Sequence, residues 1–276
     1  HEGQHDGCRR AHDHRRGAWD VASGRLLWVY PTNDYNKLAA DTTNTPLDAL
    51  SASLGDISLA HHGASVWVGE TWAATETMTL LAGTGLYEFA EPDVPAGSYL
   101  AEIDLETGRV LRRIPAPRRA EGVKVLPDGT ALLYLENFGL GYWDGLRVRL
   151  LSTDLSTSEG RLIYAMEMTL DQAYLITSHA NGEVRVWDTA SLVAGTPNYR
   201  LLPRNQQQFV LTLAISSNNQ VALGSGYGEI ELWDVAQLSL VWRIGETSSN
   251  ARNRVGETSA LQFSPDGRVL AAGSST

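Results

Sequence analysis

One pattern recurs through the second half of the chain, and it limits what the chain can fold into. AMEMTLDQAYLITSHANGEVRVWDTA covers 165–190, LTLAISSNNQVALGSGYGEIELWDVA covers 211–236, and ALQFSPDGRVLAAGSS opens the same pattern at 260. Each begins with an alternating apolar run, passes a tight turn (DQ, SNNQ or SPDGR), and enters a second run ending in small residues. In the two longer copies a Gly-containing turn leads to a third run closing on Trp-Asp. A fourth run follows in each, NYRLL at 198–202 and LSLVWRI at 238–244. Short runs of period two between Gly, Asn, Asp and Ser clusters are strands, and no stretch of the chain sustains a helical period.

Four strands in about forty residues, repeated, describe the blades of a β-propeller, so the expected fold is all-β, built of four-stranded antiparallel blades. Small residues in the second strand suit close packing of one blade on the next. The Trp of each Trp-Asp pair is expected to fill the layer between blades. Its Asp is expected to cap the turn into the outer strand through side-chain to backbone hydrogen bonds. These structural positions are Trp19, Asp20, Asp104, Asp154, Trp187, Asp188, Trp233 and Asp234. Their spacing is uneven, with the widest gap between Asp20 and Asp104. That gap holds two degenerate blades or one blade with long insertions. The second account is preferred, because DISLAHHGASVWVGE (56–70) reads as strand, turn and strand, and SYLAEID (98–104) as the third strand. The stretch 71–97 is then an insertion with room for a hairpin of its own. The Trp143-Asp144 pair is not counted as a blade end, because LRVRLLSTD follows as the strand that closes on Asp154.

VRVWDTA, IELWDVA, AWDVASGRLLW and LQFSPDGRVLAAGSS resemble the blades of WD-repeat β-propellers. The resemblance covers most of the chain and is strongest over 165–276. Upstream, IDLETGRVLRRI (103–114) and STDLSTSEGRLI (152–163) lack the Trp and are closer to YVTN-type and lyase-like propellers. The Gly-His that opens many WD repeats is absent before 165, 211 and 260, and the turn Asp is replaced in HANGE and GYGE. The resemblance therefore implies a Trp–Ser/Thr–His–Asp hydrogen-bond network that is incomplete here. It also implies a scaffold that binds proteins and needs no cofactor.

The two ends suggest how the array finishes. Residues 259–276 supply two strands of a blade, and GAWDVASGRLLWVY (17–30) supplies a third and a fourth. Joined, they would close a ring of about five blades, or six if 31–97 conceals another, and would hide two sheet edges. The rival account is a fragment of a longer propeller. Residues 1–16 form an irregular or disordered lead-in to a propeller over 17–276.

Composition narrows the partners. Lys and Arg number 22 against 32 Asp and Glu, a net charge of −10, which argues against general binding to nucleic acid or anionic membranes. No apolar run is long enough to span a membrane. The single cysteine, Cys8, excludes an internal disulfide framework and says little of compartment, with the cytoplasm slightly favoured. No catalytic motif of the G-x-S-x-G, Walker or H-E-x-x-H kind is present, so no catalytic residue is assigned. The tract holding His1, His5, Cys8, His12 and His14 fits no common zinc spacing, and Glu88, Glu91 and Asp93 lack EF-hand order; no metal is expected.

Propeller connectivity places the long stretches 31–56, 71–97, 137–146, 203–210 and 245–258 on one face. They carry Trp72, Tyr87, Phe89, Phe138, Tyr142, Trp143, Phe209, Arg252 and Arg254, together with Tyr30, Tyr35 and Arg204. Exposed aromatics and arginines are what protein contacts tend to use, so this face is expected to bind a protein or peptide. The competing expectation is a propeller enzyme, a lyase, hydrolase or quinoprotein-type dehydrogenase, with its site at the channel mouth. AWDVASGRLLW also resembles blade ends of the quinoprotein class, but no matched set of cofactor residues accompanies it.

Overall fold

A computed structural model describes residues 16–19, 23–30, 52–59, 64–72, 77–80, 87–90, 97–135, 138–151, 162–204, 208–245 and 256–274. The fold is all-β. Strands β1 (Arg16–Trp19) and β2 (Leu26–Tyr30) pair as a two-stranded sheet. Then β3 (Ala52–Leu59), β4 (Ser65–Trp72), β7 (Gly97–Asp104) and β8 (Val110–Ala116) form a four-stranded antiparallel sheet in that order. Between β4 and β7 the hairpin of β5 (Thr77–Leu80) and β6 (Tyr87–Ala90) stands as a separate pair, matching an insertion with a hairpin of its own.

Three more four-stranded antiparallel sheets follow, each in sequence order. The first is β9 (Ala120–Val125), β10 (Ala131–Leu135), β11 (Gly139–Trp143) and β12 (Val148–Leu150). The second is β13 (Ile163–Met168), β14 (Tyr174–His179), β15 (Val184–Asp188) and β16 (Tyr199–Leu201). The third is β17 (Val210–Ile215), β18 (Gln220–Ser225), β19 (Ile230–Asp234) and β20 (Ser239–Ile244), and β21 (Thr258–Phe263) pairs with β22 (Leu270–Ser274) to finish. A short helix, α1 (Thr189–Ala194), replaces the turn between β15 and β16; its N-cap is Asp188. No helix among the described residues is long and apolar enough to cross a membrane.

The structure corrects the strand assignment around Trp143. Trp143-Asp144 closes a third strand, β11, and the following LRVRLL supplies the fourth, β12. The misreading came from treating NFGLGYWDG as a loop. With Asp144 taken in place of Asp154, which lies outside the described residues, the intervals between Asp104, Asp144, Asp188 and Asp234 become nearly even. Asp104 accepts from the Thr107 amide at 2.7 Å, Asp144 from the Arg147 amide at 3.0 Å, Asp188 from the Ser191 amide at 2.7 Å and Asp234 from the Gln237 amide at 2.7 Å. The same carboxylate thus turns the chain out of the third strand four times. Asp20 is outside the described residues.

Neither face of a central sheet is left bare, because the sheets stack in sequence order. Trp67, Leu100 and Ile114 of one sheet share a core with Val123, Leu133 and Trp143 of the next. Leu132, Tyr134 and Tyr142 on the reverse side meet Met166, Leu175 and Trp187. The pattern continues from Ile176 and Val186 to Leu213 and Trp233, and from Ala222 and Leu232 to Leu261 and Phe263. First strands neighbour first strands: β9 lies against β3, β13 against β9, β17 against β13 and β21 against β17. Gly69 in β4 permits the closest approach. A Cβ there would sit 1.8 Å from the Ala120 carbonyl oxygen, so no side chain fits.

Burying a tryptophan hides its indole N–H, and Trp143, Trp187 and Trp233, the third-strand tryptophans whose side chains are among the described residues, solve this differently. Trp187 donates to Thr177 Oγ1 at 2.8 Å, and that hydroxyl shares a 2.7 Å hydrogen bond with His179 Nε2. Trp233 donates instead to the Glu231 carboxylate at 2.8 Å. Trp143, packed 4.6 Å from the Trp67 ring with the Arg112 guanidinium lying over both rings, has no partner for its Nε1. An unmade buried bond costs about 1–3 kcal/mol. Trp187→Phe is therefore expected to lose about 1–2 kcal/mol more stability than Trp143→Phe in urea unfolding, since only the first removes a made hydrogen bond. Equal losses would show that the two indoles are satisfied alike.

Candidate interaction face

Strand direction sorts the connections onto two ends of the stack. The starts of first and third strands, and the ends of second and fourth strands, share one end. The opposite end carries tight turns, tied together where the Leu170 amide donates to Asn219 Oδ1 at 2.9 Å across neighbouring sheets. At the first end the side chains of Phe138, Tyr164, Phe209 and Tyr227 are 41, 47, 43 and 42 % exposed. Among the described residues these are the exposed large aromatics, and all four stand on this one end. Tyr164 and Phe209, at the starts of β13 and β17, meet edge to face with ring centroids 6.2 Å apart. Arg118 lies 4.9 Å over the Phe138 ring.

A cleft of about 370 Å³ opens beside Tyr164, between the first strands β9 and β13. Its walls include Tyr134, Leu162 and Met166, and Glu121, paired with Arg119, stands at its edge. Gly122 keeps it open: a Cβ at that position would lie 3.0 Å from Met166 Cε.

Two of the aromatics rest on a buried ionic network. Arg204 donates from Nε to Glu231 at 3.1 Å and from Nη1 to the carbonyls of Gly182 at 3.0 Å and Gln208 at 2.9 Å. It therefore holds the segment leading to Phe209 against two sheets. The Gly226 amide donates to the Phe209 carbonyl at 3.0 Å, fastening that segment to the turn that presents Tyr227. Arg243 donates to Glu231 at 2.7 Å and lies 2.9 Å from Glu229 Oε1, close enough for an ion pair but without hydrogen-bond alignment.

The two carboxyls respond oppositely. Burial pushes Glu231 up, but Arg204, the Trp233 indole and Arg243 outweigh it and hold the group below the ordinary carboxylate range. Burial dominates at Glu229, and with Glu231 beside it the group is raised despite Arg243.

The expected site residues divide. Phe138 and Phe209 are exposed on this end. Tyr142 and Trp143 are corrections: they lie inside β11, which is covered on both sides, Tyr142 by the core around Leu175 and Trp143 by the core around Trp67. Gly141, one of the glycines that made this segment read as a loop, serves packing instead, since a Cβ there would meet Leu135 Cδ1 at 2.7 Å. Arg204 is likewise buried as a clamp rather than displayed. Trp72 ends β4 and Tyr87 and Phe89 lie in β6, but their side chains are outside the described residues. Arg252 and Arg254 are outside them altogether, as is Tyr35. Tyr164, Tyr227 and Arg118 were missed. Tyr227 sits between two glycines in GYG, a turn signal that could have found it. Tyr164 lies one residue inside a strand, where sequence alone does not separate rim from core.

Among the described residues no group of three or more His, Cys, Asp or Glu is placed to hold a metal. No family model matches the chain. No curated protein matches it at a significant level.

Titration tests the network. The raised Glu229 contributes stability that is fully present below its unfolded pKa and lost as pH rises through the folded value. Glu231, depressed, contributes stability that is present above its unfolded pKa and lost as pH falls through its folded value. In urea unfolding between about pH 4 and 7, the stability difference between Glu229→Gln and the parent protein should move in the variant's favour as pH rises. Parallel curves would refute the assignment.

Proposed function

We propose that the chain is a β-propeller interaction module whose stacked sheets are its blades, and that it binds a protein or peptide through the end carrying Phe138, Tyr164, Phe209 and Tyr227. One observation carries this reading: the exposed aromatic side chains of the described residues gather on a single end of the stack. Aromatic rings supply large contact area at low entropic cost and dominate interface energetics. The buried clamp beneath Phe209 and Tyr227 holds two of them in place before a partner arrives, which lowers the ordering cost of association. The fold itself favours no chemistry over another, so the aromatic end, not the architecture, supports the reading.

The test pairs two triple variants. Phe138→Ser/Phe209→Ser/Tyr227→Ser alters the aromatic end. Leu146→Ser/Leu170→Ser/Val269→Ser alters exposed apolar residues on the turn end. Partners captured by the parent protein should bind the first variant at least about tenfold more weakly and the second unchanged, as expected when hot-spot side chains are removed. Equal retention by both variants would overturn the proposal.

The same reading makes the β1–β2 and β21–β22 sheets halves of one blade, with β1 as the third strand beside β22. Ala271 and Ala272 are exposed on β22, whereas β14 and β18, each covered by a third strand, are almost wholly buried. By analogy with the register in which Ala222 opposes Leu232, Ala18 would oppose Ala271. Ala18→Cys with Ala271→Cys, in a Cys8→Ser background, should oxidise to an intramolecular disulfide in the folded protein. Disulfides forming only between molecules would count against closure.

A further inference from the structure

A second groove lies at the turn end, remote from the aromatic face. It has a volume of about 530 Å³ and runs between the turn after β9, the turn after β13 and the beginning of α1. Leu126, Pro127, Ala173 and Ala190 give it apolar walls. Its polar members are Asp128, Gln172, Asp188 and Thr189, and every one of them brings an oxygen that can accept a hydrogen bond.

Two of those oxygens are orphans. Thr189 is only 7 % exposed, and its Oγ1 has no hydrogen-bond partner. Gln172 Oε1 is also buried without one, on a residue whose backbone is held in the left-handed region at φ 59°. Buried polar atoms in folded proteins are nearly always satisfied, so two failures on the walls of one groove point to hydrogen-bonding partners supplied from outside, which for the Gln172 oxygen must be a donor.

The carboxylates specify the charge of those donors. Asp128 accepts from the Thr130 hydroxyl at 2.6 Å and amide at 2.9 Å, and these bonds hold it below the ordinary carboxylate range. Asp188 accepts from the Ser191 amide at 2.7 Å. Among the described residues no Lys or Arg forms an ion pair with either. The groove therefore offers several acceptors, unbalanced negative charge and an apolar trough.

We infer that this groove binds an arginine side chain displayed by a partner peptide, with the aliphatic stem along Leu126, Pro127, Ala173 and Ala190 and the guanidinium among Asp128, Gln172, Asp188 and Thr189. A planar cation with five donors and no acceptor can meet the two carboxylates and the unpaired Gln172 and Thr189 oxygens together. An ammonium carries three donors on a point charge and satisfies fewer of these oxygens at once. A carboxylate or phosphate ligand is repelled.

The probe is the capped tripeptide acetyl-Gly-Arg-Gly-amide, titrated into the isotopically labelled protein and followed by NMR. Its citrulline counterpart, which keeps the shape and loses the charge, is the control. Saturable shifts should appear at the Gln172 side-chain amide and the Thr189 backbone amide with the arginine peptide and not with the citrulline one. Asp128→Asn/Asp188→Asn should weaken binding roughly tenfold, about the loss of one charge-assisted hydrogen bond. Asparagine can still accept from Thr130 and still caps a helix, so the fold should survive, and the thermal midpoint checks that it does. Thr189→Val, nearly isosteric, should weaken binding without the loss of charge. No saturable shift, equal shifts with citrulline, tighter binding of the lysine peptide, or affinity indifferent to these substitutions would each overturn the assignment.

Discussion

The stacking of the three sheets from Ala120 to Ile244 depends on burying a third-strand tryptophan between neighbours. A four-stranded sheet has two faces and cannot hide both by itself, and both faces of the three sheets between Ala120 and Ile244 are covered by neighbours in sequence. Trp143 reaches back to Trp67, Trp187 lies against Tyr199 and the core around Tyr142, and Trp233 fills the core around Ile176. Truncating a buried tryptophan costs about 3–5 kcal/mol, a large share of the stability of a typical domain. The close approach that makes this burial possible requires Gly69 at one contact, where backbone oxygen occupies the space of a side chain.

Hydrophobic burial fixes where the sheets sit, while the polar chemistry around each indole differs from sheet to sheet. Thr177 and His179 serve Trp187, a carboxylate serves Trp233, and Trp143 has only the stacked Arg112 over its face. The carboxylate is the most demanding of the three. Once Glu231 is buried it needs compensating charge, which Arg204 and Arg243 provide, and Arg204 in turn binds the connecting segment and the preceding turn. A local need at one indole is thereby passed outward to the surface that displays Phe209 and Tyr227.

The all-β class and the four-stranded unit were legible because period-two runs and Gly-Asn-Asp turns act locally, and the Trp-Asp pairs marked third strands at 187 and 233. The same grammar failed over 137–145, where glycines usually signal a loop. Here Gly141 is in a strand, where the side chain of Leu135 on the paired strand fills the space a Cβ would need. The replaced turn residues in HANGE and GYGE implied a broken network around the tryptophans. The molecule instead recruits His179 from the end of β14 and Glu231 from β19 itself, partners two residues from Thr177 and Trp233 that the repeat pattern does not single out. Phe138 and Phe209 were readable as surface aromatics, whereas Tyr142, Trp143 and Arg204 were not separable from them by residue type. Burial is decided by which strand lies alongside, and the sequence alone does not say.

The Arg204 clamp also bears on how such an array can change over time. Repeats are often pictured as interchangeable cassettes that can be duplicated or shuffled. Arg204 belongs to the connector after one sheet, takes a carbonyl from the turn of that sheet, and neutralises a carboxylate in the next. A copy of the β17–β20 unit inserted elsewhere would keep Arg243 but carry Glu231 away from Arg204, and a copy of the β13–β16 unit in its place would leave Arg204 without that acid. These two units are locked to their order, and drift at either position can proceed only as a paired exchange.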